Sequence, residues 1–99
     1  MEILLLTSIR HTSILVLNMN KVGELVQAFL NNKSSSEMFD FLRGILTPRE
    51  IDELCKRLQI VKMIKKGLPH QEIARRLEVG VATVTRGSRE LQMGRFRKI

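Results

Sequence analysis

Tryptophan and tyrosine are absent from this 99-residue sequence, and its aromatic residues are four phenylalanines. A platform that stacks nucleic-acid bases on exposed rings is therefore not expected. A single cysteine excludes a disulfide framework and a cysteine-rich zinc site. The histidines are His11 and His70 alone, a poor inventory for metal ligation or acid–base work. No Ser/His/Asp or Cys/His set, paired carboxylates or glycine-rich phosphate loop can be assembled, so neither an enzyme nor a metal site is expected. His70 comes after Pro69 at a helix start and reads as a surface or phosphate-facing residue. Cys55 falls in an apolar stripe without a partnering histidine and reads as a buried, inert thiol.

Long apolar runs are also missing. Residues 1–17, MEILLLTSIRHTSILVL, are rich in Leu, Ile and Val, but Arg10 and His11 interrupt them. No run reaches the ~18–20 residues that a membrane span needs. Glu2 stands where a secretory signal needs a basic start, and no small-residue cleavage site comes after it. A cytoplasmic protein without membrane association is the expectation. Two readings of residues 1–18 stay open. Ile3–Ile9 and Ser13–Leu17 could be two short strands. Alternatively, these residues are an apolar extension ahead of a native start at Met19.

Ninety-nine residues suit one small domain. A chain of this size buries only roughly 60–65% of its unfolded surface, so it is marginal without a partner. Hydrophobic residues at 43% and charged residues at 27% are ordinary for a globular protein. The net charge of +7 is unevenly placed. Residues 1–40 carry three bases and four acids, whereas residues 41–99 carry fourteen bases and six acids. Either a polyanion partner or a solvated basic surface would account for that asymmetry.

Helical periodicity begins at Lys21. Val22, Leu25, Val26, Phe29 and Leu30 recur on one face, and Asn31-Asn32-Lys33 ends the run. Ser34-Ser35-Ser36 offers caps for a second helix carrying Met38, Phe39, Phe41 and Leu42, with Gly44 placed to stop it. Thr47-Pro48-Arg49-Glu50 reads as a capping box with proline at the first helical position. The helix it starts presents Ile51, Leu54, Cys55, Leu58, Val61 and Ile64 on its apolar side, and Gly67 closes it.

Residues 69–91, PHQEIARRLEVGVATVTRGSREL, fit two short helices meeting at a tight corner. Ile73, Ala74 and Leu77 point inward from the first, and Ala74 is small enough to admit a close crossing. Val79 plugs the corner, Gly80 opens the second helix, and Val84 anchors it. This is the pattern of a helix-turn-helix reader of DNA, although a plain helical hairpin has the same core needs. The other face favours DNA. Arg75, Arg76, Thr83, Thr85, Arg86, Ser88 and Arg89 are donors suited to phosphates. Glu78 stands where such corners often carry glycine, at a cost of order 1 kcal/mol if its φ is positive.

Leu46-Thr47-Pro48, Arg57, Ile60-Val61 and above all Gly80-Val81-Ala82-Thr83-Val84-Thr85-Arg86-Gly87-Ser88 closely resemble the tryptophan repressor family. The likeness covers roughly Leu25 to Leu91. The stretch from Glu24 to Ile51 and the run Arg57–Val61 are similar to its shorter members labelled YerC/YecD. The resemblance implies an all-α, five-helix domain, its residues 19–94 forming an intertwined homodimer, with the helix-turn-helix at about 69–91 and a basic tail at 95–99. It implies a DNA-binding transcriptional repressor whose paired recognition helices enter successive major grooves of a palindromic operator, about 34 Å apart.

By that resemblance Val81, Ala82 and Thr85 face bases, with many contacts passing through water. Gly80 and Thr83 lie near the groove or the ligand floor, and Arg75, Arg76, Arg86 and Arg89 serve DNA binding. L-tryptophan is the implied corepressor. Arg57 and Arg86 would sandwich the indole, Arg86 and Thr47 would hold the carboxylate, and backbone carbonyls near Gly44 and Leu46 would take the ammonium. Gly87 would leave room for the ring. Planar guanidinium groups suit both stacking and a forked carboxylate contact. The residues themselves leave other readings open: a solvated face or an ion pair with Asp52 or Glu53 for Arg57, and a phosphate contact alone for Arg86.

The sequence departs from the family at three places. Glu90 replaces a serine that helps hold the amino acid, so at this ligand-binding position its carboxylate could grip the ammonium, repel the ligand's carboxylate or pair with Arg86; the segment Gly67–Gln71 is one residue shorter, and beyond Leu91 little remains of the family's final, dimer-forming helix. Two alternative functions accompany these departures: a regulator that binds DNA without tryptophan or with another ligand, and a helical protein-interaction module.

Overall fold

The computed structural model describes the backbone of residues 10–99 and the side chains from residue 20 onward. Among the described residues there are five helices and no strand. They are α1 (Arg10–Leu30), α2 (Ser35–Ile45), α3 (Pro48–Lys65), α4 (His70–Leu77) and α5 (Val81–Gln92). None is long and apolar enough to cross a membrane. The contact pattern divides the chain into two units, Met1–Ile45 and Leu46–Ile99.

In the first unit, α1 begins well before the periodic segment that starts at Lys21. It runs through Ser13–Leu17, so the second of the two candidate strands is helical. Alternating β-branched residues set no pairing here, because no turn closes a hairpin beside them. The other candidate, Ile3–Ile9, lies outside the described residues. At the end of α1, Asn32 Nδ2 donates to the carbonyls of Ala28 (2.9 Å) and Phe29 (3.3 Å), satisfying orphan acceptors. Ser34 caps α2 by accepting from the Glu37 amide at 3.2 Å. The Glu37 carboxylate accepts from the Lys33 amide at 2.8 Å. Phe29 and Phe41 meet edge to face, with centroids 5.0 Å apart, and join the two helices.

Gly44 does not stop α2, which continues to Ile45. Pro48 sets the stop instead. Proline disfavours helical backbone in the residue before it, and Thr47 is accordingly extended at φ −73°, ψ 160°.

The second unit holds the buried core. The capping box at the start of α3 forms as its sequence requires. The Glu50 amide donates to Thr47 Oγ1 at 3.1 Å, and the Thr47 amide donates to Glu50 Oε1 at 2.8 Å. The bond from the Thr47 amide, and then the Thr47 side chain, hold the Glu50 carboxyl below its ordinary pKa. At the far end Gly67 has φ +87°, and the amides of Gly67 and Leu68 donate to the carbonyls of Ile64 and Met63. This Schellman stop turns the chain back toward the core.

Ile60, Ile73, Ala74 and Val84 form that core, with Met63, Ile64, Leu68, Leu77 and Val79 packed around it. Helices α3, α4 and α5 all meet there. The burial of α3 differs from its stripe in sequence. Ile60 and Val61 are 1% exposed, whereas Leu54 is 44% and Leu58 37% exposed, and Cys55 is exposed as well. The thiol expected to be buried is thus open to solvent in the single chain. The α3 residues that join the core with α4 and α5 are Ile60, Met63 and Ile64, all near its carboxyl end. On α1, Val22, Leu25, Val26 and Leu30 are exposed too.

At the corner between α4 and α5, Glu78 adopts φ +55° and ψ +47°, the left-handed region. The Val79 amide donates to the Ala74 carbonyl at 3.0 Å, and Val79 folds down onto the core. Glu78→Gly should therefore stabilise the protein by about 1 kcal/mol. Urea denaturation monitored by circular dichroism measures this, and an unchanged midpoint would mean that Glu78 carries no strain.

Candidate functional site

The face expected from the sequence to meet DNA is built on the amino half of α5. Gly80 is the N-cap, with φ −71° and no side-chain cap. Val81, Ala82 and Thr83 occupy the first turn and are all exposed, while Val84 at 0% exposure fixes the helix to the core. An anchored first turn with bare amides and exposed small side chains can approach a polyanion closely. Thr85 is half-buried, and Arg86 and Arg89 are exposed.

On α4, Arg75 and Arg76 are exposed but not independent. Glu72 Oε1 accepts from Arg75 Nη2 at 2.6 Å and from Arg76 Nε at 2.7 Å, while its Oε2 accepts from Arg75 Nε at 3.2 Å. The bond from Arg75, then that from Arg76, lowers the Glu72 pKa to about 2. A depressed carboxylate contributes stability above its unfolded pKa and loses it as pH falls toward about 2, so this clamp is intact at neutral pH. Sequence spacing at i, i+3 and i+4 is enough to anticipate this clamp.

Behind α5 lies a cavity of about 310 Å3. Ile60 and Val61 line it from α3, as does Arg57. Ala82, Thr83, Arg86, Gly87 and Glu90 line it from α5, and Phe96 from the segment beyond. Five residues singled out from the sequence as ligand-binding therefore converge here: Arg57, Thr83, Arg86, Gly87 and Glu90. Leu46 and Thr47 are not among its lining residues, and the Thr47 hydroxyl is engaged in the capping box. Gly44 belongs to the first unit.

Arg57 is not drawn off by the neighbouring acids. Asp52 pairs with Lys56 at 3.6 Å, and Glu53 pairs with Arg49 at 3.6 Å. Arg57 and Thr83 also line a second cavity, of about 360 Å3, with Glu53, Lys56, Val79 and Gly80. Two guanidinium groups, a hydroxyl and an apolar floor can hold a small carboxylate with an apolar body.

Gly87 has a packing reason that the sequence does not reveal. A Cβ there would come within 2.9 Å of Ile60 Cγ2, so the bare backbone is what lets α5 cross α3 so closely. Ile60 is buried and stiff at χ1, so it cannot easily yield. Gly87→Ala should destabilise the second unit, because overpacking costs about 1–3 kcal/mol and helix propensity returns at most about 1. A thermal melt measures it, and a stabilised variant would show that Ile60 can move aside.

The sequence pattern does not point to Phe96. It is the lone aromatic in a basic stretch, and the nearby Gly94 is the one signal that a turn could bring it back.

A family model described as Trp repressor protein matches residues 20–97. The Trp operon repressor homolog of Actinobacillus succinogenes is 35% identical over 77 residues, which are 77% of this chain and 76% of that protein. The Vibrio campbellii homolog is 34% identical over 73 residues, 73% of this chain and 70% of its own length. The Haemophilus influenzae homolog reaches 44% identity over 62 residues, 62% of this chain and 57% of that protein. No solved structure matches the chain.

Proposed function

The chain belongs to the Trp repressor protein family, and from that premise we propose that it is a cytoplasmic, sequence-specific, DNA-binding repressor that uses L-tryptophan as corepressor and acts as a homodimer. The observation that carries this reading is the shared position of Thr83 and Arg86. Both lie on the helix that would read DNA, and both line the cavity behind it. A ligand seated there would touch the recognition helix directly, so ligand binding and DNA binding would be coupled through one element.

In the proposed arrangement Val81, Ala82 and Thr85 contact bases, with Gly80 and Thr83 beside them. Arg75, Arg76, Arg86 and Arg89 contact phosphates. Arg57 and Arg86 stack on the indole, and Arg86 also pairs with the carboxylate. The dimer is supported by apolar side chains that the single chain leaves exposed, on α1 at Val22, Leu25 and Val26 and on α3 at Leu54 and Leu58. Small monomers seldom tolerate so much exposed apolar surface. Light scattering should give twice the 11.4 kDa chain mass. A stable monomer at micromolar concentration would count against the repressor architecture.

The deciding experiment measures binding to candidate operator duplexes by fluorescence anisotropy, with and without L-tryptophan, across a salt series. Tight, sequence-dependent binding that tryptophan strengthens is expected. One observation favours the second reading, a regulator with no ligand or a different one: Leu46 and Thr47 stand outside the cavity lining. Sequence-dependent binding indifferent to tryptophan would select it. Binding that falls steeply with salt yet ignores sequence would leave a helical interaction module with a basic face.

A further inference from the structure

The cavity behind α5 is completed by a segment that belongs to no helix. Gly94 has φ +93°, and the amides of Gly94 and Arg95 donate to the carbonyls of Leu91 (3.0 Å) and Glu90 (3.1 Å), so α5 ends in a Schellman stop that reverses the chain. Phe96 then adopts φ +61°, a conformation that a bulky side chain seldom takes and that persists only where its surroundings enforce it. Here they do. Lys65 Nζ, at the end of α3, donates to the main-chain oxygens of Phe96 and Ile99, each at 2.7 Å. Arg97 Nε donates to the Gly94 carbonyl at 3.1 Å. The result is a strap, tethered across more than thirty residues of sequence, that brings Phe96 to the cavity wall.

We propose that Phe96 is a specificity-determining wall of this cavity, and that Lys65 is the positioning residue holding it there, so that the site selects an aromatic amino acid over an aliphatic one. This rests on the proposed ligand role of the cavity. A volume of about 310 Å3 is small for a ligand site and suits a body the size of one amino acid. Ile60 and Val61 would accept any apolar side chain, so they do not discriminate. A ring does, because an aromatic ligand gains edge-to-face or offset contact that an aliphatic one cannot make.

The strap also answers the charge of Glu90. Arg95 Nε lies 3.5 Å from Glu90 Oε2, so the carboxylate in the cavity wall faces a guanidinium supplied by the same segment. A ligand carboxylate entering beside Arg57 and Arg86 would therefore meet less repulsion than Glu90 alone would give.

The test uses the full chain and titrates L-tryptophan, read by the ligand's own fluorescence, since the protein has neither Trp nor Tyr. L-leucine is measured by competition. Phe96→Ala should weaken tryptophan binding by about tenfold and leucine binding much less, so the selectivity ratio narrows. Lys65→Ala should narrow it in the same way, and Lys65→Arg should restore it. Circular dichroism records whether each variant folds. If Phe96→Ala does not, Phe96→Leu keeps the bulk without the ring, and the ratio decides. A proportional loss for both ligands, or a Phe96→Ala variant whose tryptophan affinity equals that of a tryptophan-binding wild type, overturns the role of Phe96 and leaves the ligand reading standing. A wild type that does not saturate up to millimolar tryptophan overturns both.

Discussion

Arg86→Ala should reduce operator affinity by about ten- to a hundredfold, the worth of one forked guanidinium contact, and should abolish the response to L-tryptophan. The two losses share one cause. Arg86 is exposed on α5, the helix proposed to read DNA, and also lines the cavity with Arg57. Hydrogen bonds to charged groups are worth about 1.5–3 kcal/mol, and an indole stacked on the guanidinium would add to that. Arg89→Ala separates the two roles. Arg89 is not among the cavity's lining residues, so its removal should lower DNA affinity and reduce the salt slope by about 1, with the tryptophan response intact. Anisotropy titrations over a range of salt, with and without ligand, measure both variants. If Arg86→Ala left DNA binding and ligand response unchanged, the site assignment would be wrong.

Ile73→Ala should unfold the second unit at ordinary temperatures. Ile73 is 0% exposed and lies in the cluster where α3, α4 and α5 meet. Truncating a buried isoleucine costs about 2–5 kcal/mol, while a core of this size rarely supplies more than about 3–5. Loss of cooperative thermal unfolding by circular dichroism is the expected result, and tryptophan should recover part of it by binding the folded state alone. A melt within a few degrees of wild type would show that the corner does not depend on this contact.

Much of the architecture was legible in the sequence because its determinants are local. The capping box needs only Thr47 and Glu50, three positions apart, and both of its bonds form. Gly67 stops α3, and Glu78 takes the left-handed conformation that the corner demands. Ile73, Ala74 and Val84 are buried as their spacing requires. Gly44 misled because a glycine near a helix end resembles a stop, while the neighbouring Thr47-Pro48 was sufficient to end α2.

The sequence by itself therefore determined the helices, their caps, the helix-turn-helix corner and the basic character of its outer face. Hydrogen bonds between residues four apart and side-chain caps three apart act within one turn of chain. Only the tertiary structure decided which part of each apolar stripe is covered. Periodicity assigns Leu54, Cys55, Leu58 and Val61 to one side of α3, but only Val61 is buried in the single chain, because the core shared with α4 and α5 takes its α3 residues from Ile60, Met63 and Ile64. Only the tertiary structure brought Arg57 to Arg86, pressed Gly87 onto Ile60 and tied Phe96 to Lys65. Those contacts join residues tens of positions apart, and their formation depends on the crossing of α3 and α5, which no local pattern specifies.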